Sequence, residues 1–214
     1  MSLSRTLRAG RLGRDEGLSL LEVVVAVALV TIVMTASATL CLTGIAAASA
    51  QERRQVAVTI ASGMMESVGA QSVATNPATG VSGLYTGRSS TAVSAVWTAN
   101  ASTVGIAQTY SAWDPTATGV SVPVIPITST TTQAGTTFTI RTLMGPCYEP
   151  KTGGDCSIVT GATGTVTPSG YTPLIRVVVV VSWTAGNSCA ASGCTYTTSS
   201  LFDPNSDLGW LTSV

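Results

Sequence analysis

"RDEGLSLLEVVVAVALV", Arg14–Val30, opens an apolar run that continues to Ala50 with Glu22 as its only charged residue. A helix needs roughly 20 apolar residues to cross hydrocarbon, and the run from Leu18 to Ala50 exceeds that. Val23, Val24, Val25, Val27, Val30, Ile32 and Val33 are weak helix formers. In lipid, however, a helix is the only single segment that satisfies all of its own backbone groups, so the environment overrides propensity. Arg5, Arg8, Arg11 and Arg14 precede the run with no comparable group after it, which places the N-terminus on the cytoplasmic side. A carboxylate in hydrocarbon costs about a few kcal/mol and marks a functional position. Glu22 is therefore a candidate docking residue. Gly17, a side-chain-poor position between the charged and apolar segments, is a candidate cleavage position.

Beyond the membrane portion, Val56, Ile60, Met64 and Val68 recur at four-residue spacing between polar positions such as Gln51, Glu52, Arg53, Arg54, Gln55 and Glu66. This periodicity predicts an amphipathic continuation, hence one helix from Leu18 to about Gln71. Its second half should pack on a globular domain. After "NPATG" (Asn76–Gly80) short runs of Thr, Ser, Val and Gly alternate with turn residues, a sheet-forming composition. Expected strands are Ala92–Ala99, Val104–Trp113, Thr136–Met144, Leu174–Thr184 and Cys194–Phe202. The valine run in "LIRVVVVVSWT" suits a central strand buried on both faces. "VPVIPI" (Val122–Ile127) carries prolines that cannot donate to a ladder, so it reads as an edge or a loop. The predicted class is α+β: a long N-terminal helix packed on a C-terminal antiparallel sheet domain. The segments are 1–17 (cytoplasmic leader), 18–50 (membrane helix), 51–72 (its amphipathic continuation) and 73–214 (extracytoplasmic domain).

Composition narrows the function. The chain has 214 residues, 45% hydrophobic and only 9% charged, with zero formal net charge, where roughly a quarter charged is usual. It has no histidine and a single lysine, Lys151. The commonest general base and most Schiff-base or P-loop chemistry are thus removed. The expectation is a non-enzyme with no cofactor, no metal and no catalytic residue. With no basic cluster in the sheet region, no nucleic acid is indicated as a partner.

Five cysteines are present. Cys147 and Cys156 bracket a Gly/Pro loop, Cys189 and Cys194 bracket "AASG", and Cys41 stands alone in the membrane run. In a loop-rich domain outside the cytoplasm the two local pairs read as disulfides closing short loops. A four-thiolate zinc site lacks its usual tight spacing here but stays open, as do crossed pairing and free thiols.

A basic leader ending in glycine, followed by an apolar helix with Glu at its fifth position, resembles the class III signal of type IV prepilins and pseudopilins. The match runs over about Arg14–Met34, with Gly17 last in the leader, Leu18 first in the mature chain and Glu22 fifth. The first mature residue is most often Phe in that family and is Leu here. "RVVVVVSWT" is loosely similar to a late strand of minor pilins and of secretion pseudopilins. The resemblance implies cleavage after Gly17 by a prepilin peptidase and N-methylation of Leu18. It also implies a single-pass cytoplasmic-membrane stage surrounded by lipid. Assembly through Glu22 into a pilus-like filament at the cell surface would follow, with other pilin subunits, an assembly platform and its ATPase as partners. The expected role is that of a structural, pilin-like subunit of the minor kind.

Two other classes share parts of this pattern. One is a pseudopilin of a type II secretion or DNA-uptake system. The other is a membrane-anchored or secreted binding module that does not assemble; "AASA" (Ala47–Ala50) offers a secretory cut before Gln51. A lipoprotein anchor at Cys41 is disfavoured by Leu40 before it. "NAS" at Asn100 is a glycosylation sequon by pattern only. Trp97, Trp113, Trp183 and Trp210 are expected in the core or at subunit contacts.

Overall fold

The computed structural model describes residues 19–71, 73, 75–76, 81–162, 166–184, 189 and 193–204. The chain divides into two units, Met1–Ala47 and Ala48–Val214.

Helix α1 (Leu20–Gly69) runs for 50 residues and contributes its first part to one unit and its last part to the other. Within the N-terminal unit every described residue is exposed. By length and composition the helix can cross a membrane. A helix that is apolar all round needs lipid or other helices against it. The hydroxyls along this part do not conflict with such surroundings. Thr31, Thr35, Thr39 and Thr43 donate to carbonyls three or four residues back, among them Ala28 at 2.8 Å, Ile32 at 2.9 Å, Ala36 at 2.8 Å and Leu40 at 3.0 Å. Each hydroxyl is satisfied inside its own helix.

In the C-terminal unit the core is an antiparallel sheet in the order β3-β4-β5-β6, formed by β3 (Thr128–Gln133), β4 (Thr136–Pro150), β5 (Tyr171–Trp183) and β6 (Cys194–Phe202). A short hairpin, β1 (Thr75–Asn76) with β2 (Val81–Ser82), follows α1. The strand period of two distributes the valine run of β5 to both faces. Val177, Val179 and Val181 pack with Phe138, Ile140 and Met144 against Ala57, Ala61 and Val68 of α1. Val178 and Val180 pack with Leu143, Ile106, Val96 and Trp97 on the other face. The expectation of a doubly buried central strand therefore agrees with the structure, as does a long helix lying on the sheet. The seam of α1 is set by Ala57 and Ala61, each 0% exposed, with Val56, Ile60, Met64 and Met65 beside it. Small side chains there let the helix backbone approach the strands.

Two expected strands are corrected. Ala92–Ala99 lies in helix α2 (Ser90–Ala99). Val93, Val96 and Trp97 recur at helical spacing and turn toward the sheet, and the Asn100 amide closes the C-terminus on the Val96 carbonyl at 2.7 Å. Alanine-rich composition and that spacing outweigh the valines. Val104–Trp113 is a series of turns, in which Gly105 takes φ +89°, Ile106 enters the second core cluster, and the Tyr110 amide donates to the Pro146 carbonyl at 2.9 Å. Gly145 makes that approach possible, because a Cβ there would overlap the Tyr110 carbonyl oxygen. "VPVIPI" is a loop, with Ile125 fully buried. Strand β3, "TSTTTQ", was not anticipated from the sequence, because it shows no apolar alternation. It is held by a two-residue turn, Ala134 (φ 48°) and Gly135 (φ 72°), of the kind tight hairpins favour.

Candidate functional site

Ser19 starts α1. Its carbonyl accepts the Glu22 amide at 2.8 Å and the Val23 amide at 3.2 Å. This puts Glu22 in the first helical turn, where a carboxylate is favoured by the unpaired amides and the helix dipole. The Glu22 side chain is exposed and lies in a shallow groove with Ser19, Leu21, Val25, Ala26 and Leu29. The surroundings are thus a local helix surface, carrying one charge on an otherwise apolar column. Gly17 and Leu18, the expected cleavage and methylation positions, lie outside the described residues, so the geometry of that bond is not part of the site. Cys41 is exposed on the same helix.

The four cysteines of the C-terminal unit fall together as the sequence pairs them. Cys147 and Cys156 have Cα atoms 5.4 Å apart and form a disulfide; Cys189 and Cys194 are at 5.2 Å and form the second. Both separations are ordinary for disulfides. The first pair sits where β4 has run beyond its neighbour β3, whose pairing ends at Arg141. Beside it the chain returns as a small antiparallel bridge, with Tyr148 and Ser157 exchanging amide-to-carbonyl bonds of 3.0 Å. The second pair ties the β5–β6 connection to the first residue of β6, opposite Trp183. The disulfides therefore staple loops at opposite ends of the sheet, Cys147 beside Leu174 near the start of β5 and Cys194 beside Trp183 at its end, and take no part in the helix surface around Glu22. Of the tryptophans, Trp183 is in the core against Phe138, with ring centroids 5.7 Å apart. Trp97 is half-buried on the second cluster and Trp113 is exposed. Trp210 lies outside the described residues.

Sequence reasoning passed over a polar assembly inside the C-terminal unit. Arg88 is 1% exposed. Its Nη1 donates to the Ile125 carbonyl at 3.1 Å and its Nη2 to the Thr142 carbonyl at 2.6 Å. It occupies the edge of β4 just past the last β3 pair, where the Thr142 amide donates to Ile127 at 3.0 Å. The guanidinium thus supplies donors where a neighbouring strand would otherwise do so. Burial lowers its pKa from the ordinary value to about 10, with a nearby Tyr85 opposing the shift. Burial also raises the pKa of Tyr85, and the Arg88 charge opposes that shift. Asp114 fastens the same turn from the other side. Its Oδ2 accepts the Gly87 amide at 2.9 Å, and its Oδ1 accepts the Thr116 hydroxyl at 2.6 Å and the Thr116 amide at 2.9 Å. The Thr116 hydroxyl and the Gly87 amide hold its carboxyl below the usual range. Nothing in the local sequence "YTGRSST" marks Arg88 as buried, since its partners are backbone carbonyls far along the chain.

Together these features define a class: an α+β protein with an apolar N-terminal helix exposed along its first part and a disulfide-stapled sheet domain. Comparison with known protein families, with curated proteins and with solved structures finds no match.

Proposed function

We propose that this chain is a structural subunit of a type IV pilus-like filament, inserted in the cytoplasmic membrane, cut after Gly17 and assembled through α1. The observation that carries the reading is the exposed, all-round apolar surface of the first part of α1, from Leu20 to Ala47, with Glu22 as its one charge, placed in the first turn. Such a helix is stable in lipid, or in a bundle of like helices, and needs no other cover. Cleavage after Gly17 creates a positive amine at Leu18, four residues from Glu22. When helices leave lipid and bundle, Glu22 of one subunit can pair with the Leu18 amine of a neighbour, relieving two desolvated charges at once. A misregistered subunit leaves both unpaired, so the pair selects the correct axial register. The stapled sheet domain then forms the outer layer on the extracytoplasmic side.

The test is the mature N-terminus. Intact-mass and terminal-peptide spectrometry of the membrane and filament fractions should find a chain beginning at Leu18, one methyl heavier at its amine. A chain beginning at Gln51 would replace this reading with secretion of a binding domain. An uncut precursor would leave a membrane-anchored module.

A further inference from the structure

We propose that Tyr85, Arg88 and Thr142 hold a small monovalent anion of halide size in the interior of the C-terminal unit. Three buried polar atoms in this region have no hydrogen-bond partner: Arg88 Nε, Tyr85 Oη and Thr142 Oγ1. Their residues are 1%, 8% and 0% exposed. Buried donors without partners are rare, and each calls for a cause.

Hydrogen bonds of Arg88 tie the three residues together. The Arg88 amide donates to the Tyr85 carbonyl at 2.9 Å, so the two side chains leave the same tight turn, and they sense each other's charge. The guanidinium reaches Thr142 through Nη2. In the planar fork of arginine, Nε–H and one Nη2–H point along the same edge, so the free Nε faces the β4 side of the assembly.

Charge then decides the class of ligand. The two carbonyls satisfy hydrogen bonds but leave a full positive charge, and an uncompensated buried charge costs several kcal/mol. Among the described residues no carboxylate is seen as an ion-pair partner of Arg88: burial and Tyr85 are what act on its guanidinium, and Asp114, which caps the turn, bonds to Gly87 and Thr116. A water molecule could bridge the free atoms but would leave the charge as it is. A monovalent anion compensates it and accepts from Nε–H, while the two hydroxyls rotate to donate. A cation would meet like charge, and three donors in a closed core are too few for a polyatomic anion such as sulfate. The inference does not depend on filament assembly.

The experiment is thermal unfolding of the full chain in detergent micelles, in sodium chloride, sodium bromide and sodium gluconate at equal ionic strength. A ligand that binds only the folded state raises the melting temperature by mass action. Chloride and bromide should therefore stabilise in a saturable way and gluconate should not. Tyr85→Phe and Thr142→Val, close in shape to the native residues, should each raise the half-saturating halide concentration by about tenfold, the effect of losing one hydrogen bond to a charged group. Arg88→Met should abolish the halide dependence; if that variant does not fold, the Tyr85 and Thr142 variants decide. Equal melting in all three salts would overturn the proposal. So would halide dependence that Tyr85→Phe and Thr142→Val leave unchanged, or a bromide-soaked crystal with water and no anomalous peak beside Arg88.

Discussion

At the scale of single residues, three side chains separate assembly from folding. Glu22→Ala removes the one charge from the first, apolar part of α1, so membrane insertion should be unimpaired and cleavage after Gly17 should persist. On the filament reading, each incoming amine would then lack its carboxylate, and breaking one side of a desolvated pair costs about 3–5 kcal/mol. Immunoblots should find the processed protein in membranes and missing from sheared filaments; undiminished incorporation would remove Glu22 from the mechanism. Asp114 governs acid stability instead. Its carboxyl is held below the ordinary range by the Thr116 hydroxyl and the Gly87 amide. Its contribution is therefore complete above the unfolded value of about 4 and is lost as pH falls through the lower folded value. Asp114→Asn should flatten that part of the stability profile below about pH 4 while lowering stability at neutral pH, as a urea titration at several pH values would record. Ala134, at φ 48° in the β3–β4 turn, is the reverse case. A left-handed alanine costs roughly 1–2 kcal/mol, part of which glycine returns as lost chain entropy. Ala134→Gly should accordingly raise stability by up to about 1 kcal/mol.

Among the elements, α1 shows how one helix can answer two environments. The threonines of its first part bond to their own backbone and leave the surface apolar, whereas its last part is built around Ala57 and Ala61, fully buried against the sheet. The four-residue spacing of Val56, Ile60, Met64 and Val68 identified the correct side of the helix. It did not reveal that Ala57 and Ala61 beside them are fully buried while Val56, Ile60 and Met64 are only partly so, because small residues give weak hydropathy signals and strong steric ones. Ala61→Leu should thus cost about 1–3 kcal/mol by overpacking, measured as a lowered denaturation midpoint, although it makes the helix more apolar. Helix α2 and strand β3 illustrate the opposite difficulty. "AVSAVWTA" contains enough valine to look extended, yet its spacing serves a helix lying on the sheet; "TSTTTQ" has no hydrophobic alternation and is a strand because β4 offers it partners.

On the scale of the whole molecule, the two disulfides fasten loops at opposite ends of the sheet. Cys147 and Cys156 join the overhanging end of β4 to the returning loop, and Cys189 and Cys194 fix the entry into β6. Non-reducing peptide mapping should recover those two links with Cys41 unpaired. Cys147→Ser with Cys156→Ser should destabilise the chain by about 2–3 kcal/mol. A Cys147–Cys189 link or bound zinc in a mapped sample would refute the pairing.

The sequence by itself determined what depends on local chemistry along the chain: the apolar helix and its one carboxylate, the amphipathic turn of α1 toward a sheet, the central place of the valine strand, and the two short cysteine loops. Each rests on periodicity, composition or short spacing, which tertiary contacts have little power to reverse. Tertiary structure alone decided the turns of Val104–Trp113, the edge strand β3 and the burial of Arg88. Those outcomes turn on partners tens of residues away: the Pro146 carbonyl for Tyr110, the open edge of β4 for β3, and the carbonyls of Ile125 and Thr142 for the guanidinium. A buried arginine satisfied by backbone carbonyls carries no signature in its own neighbourhood, because the groups that make it tolerable come from backbone that every residue possesses.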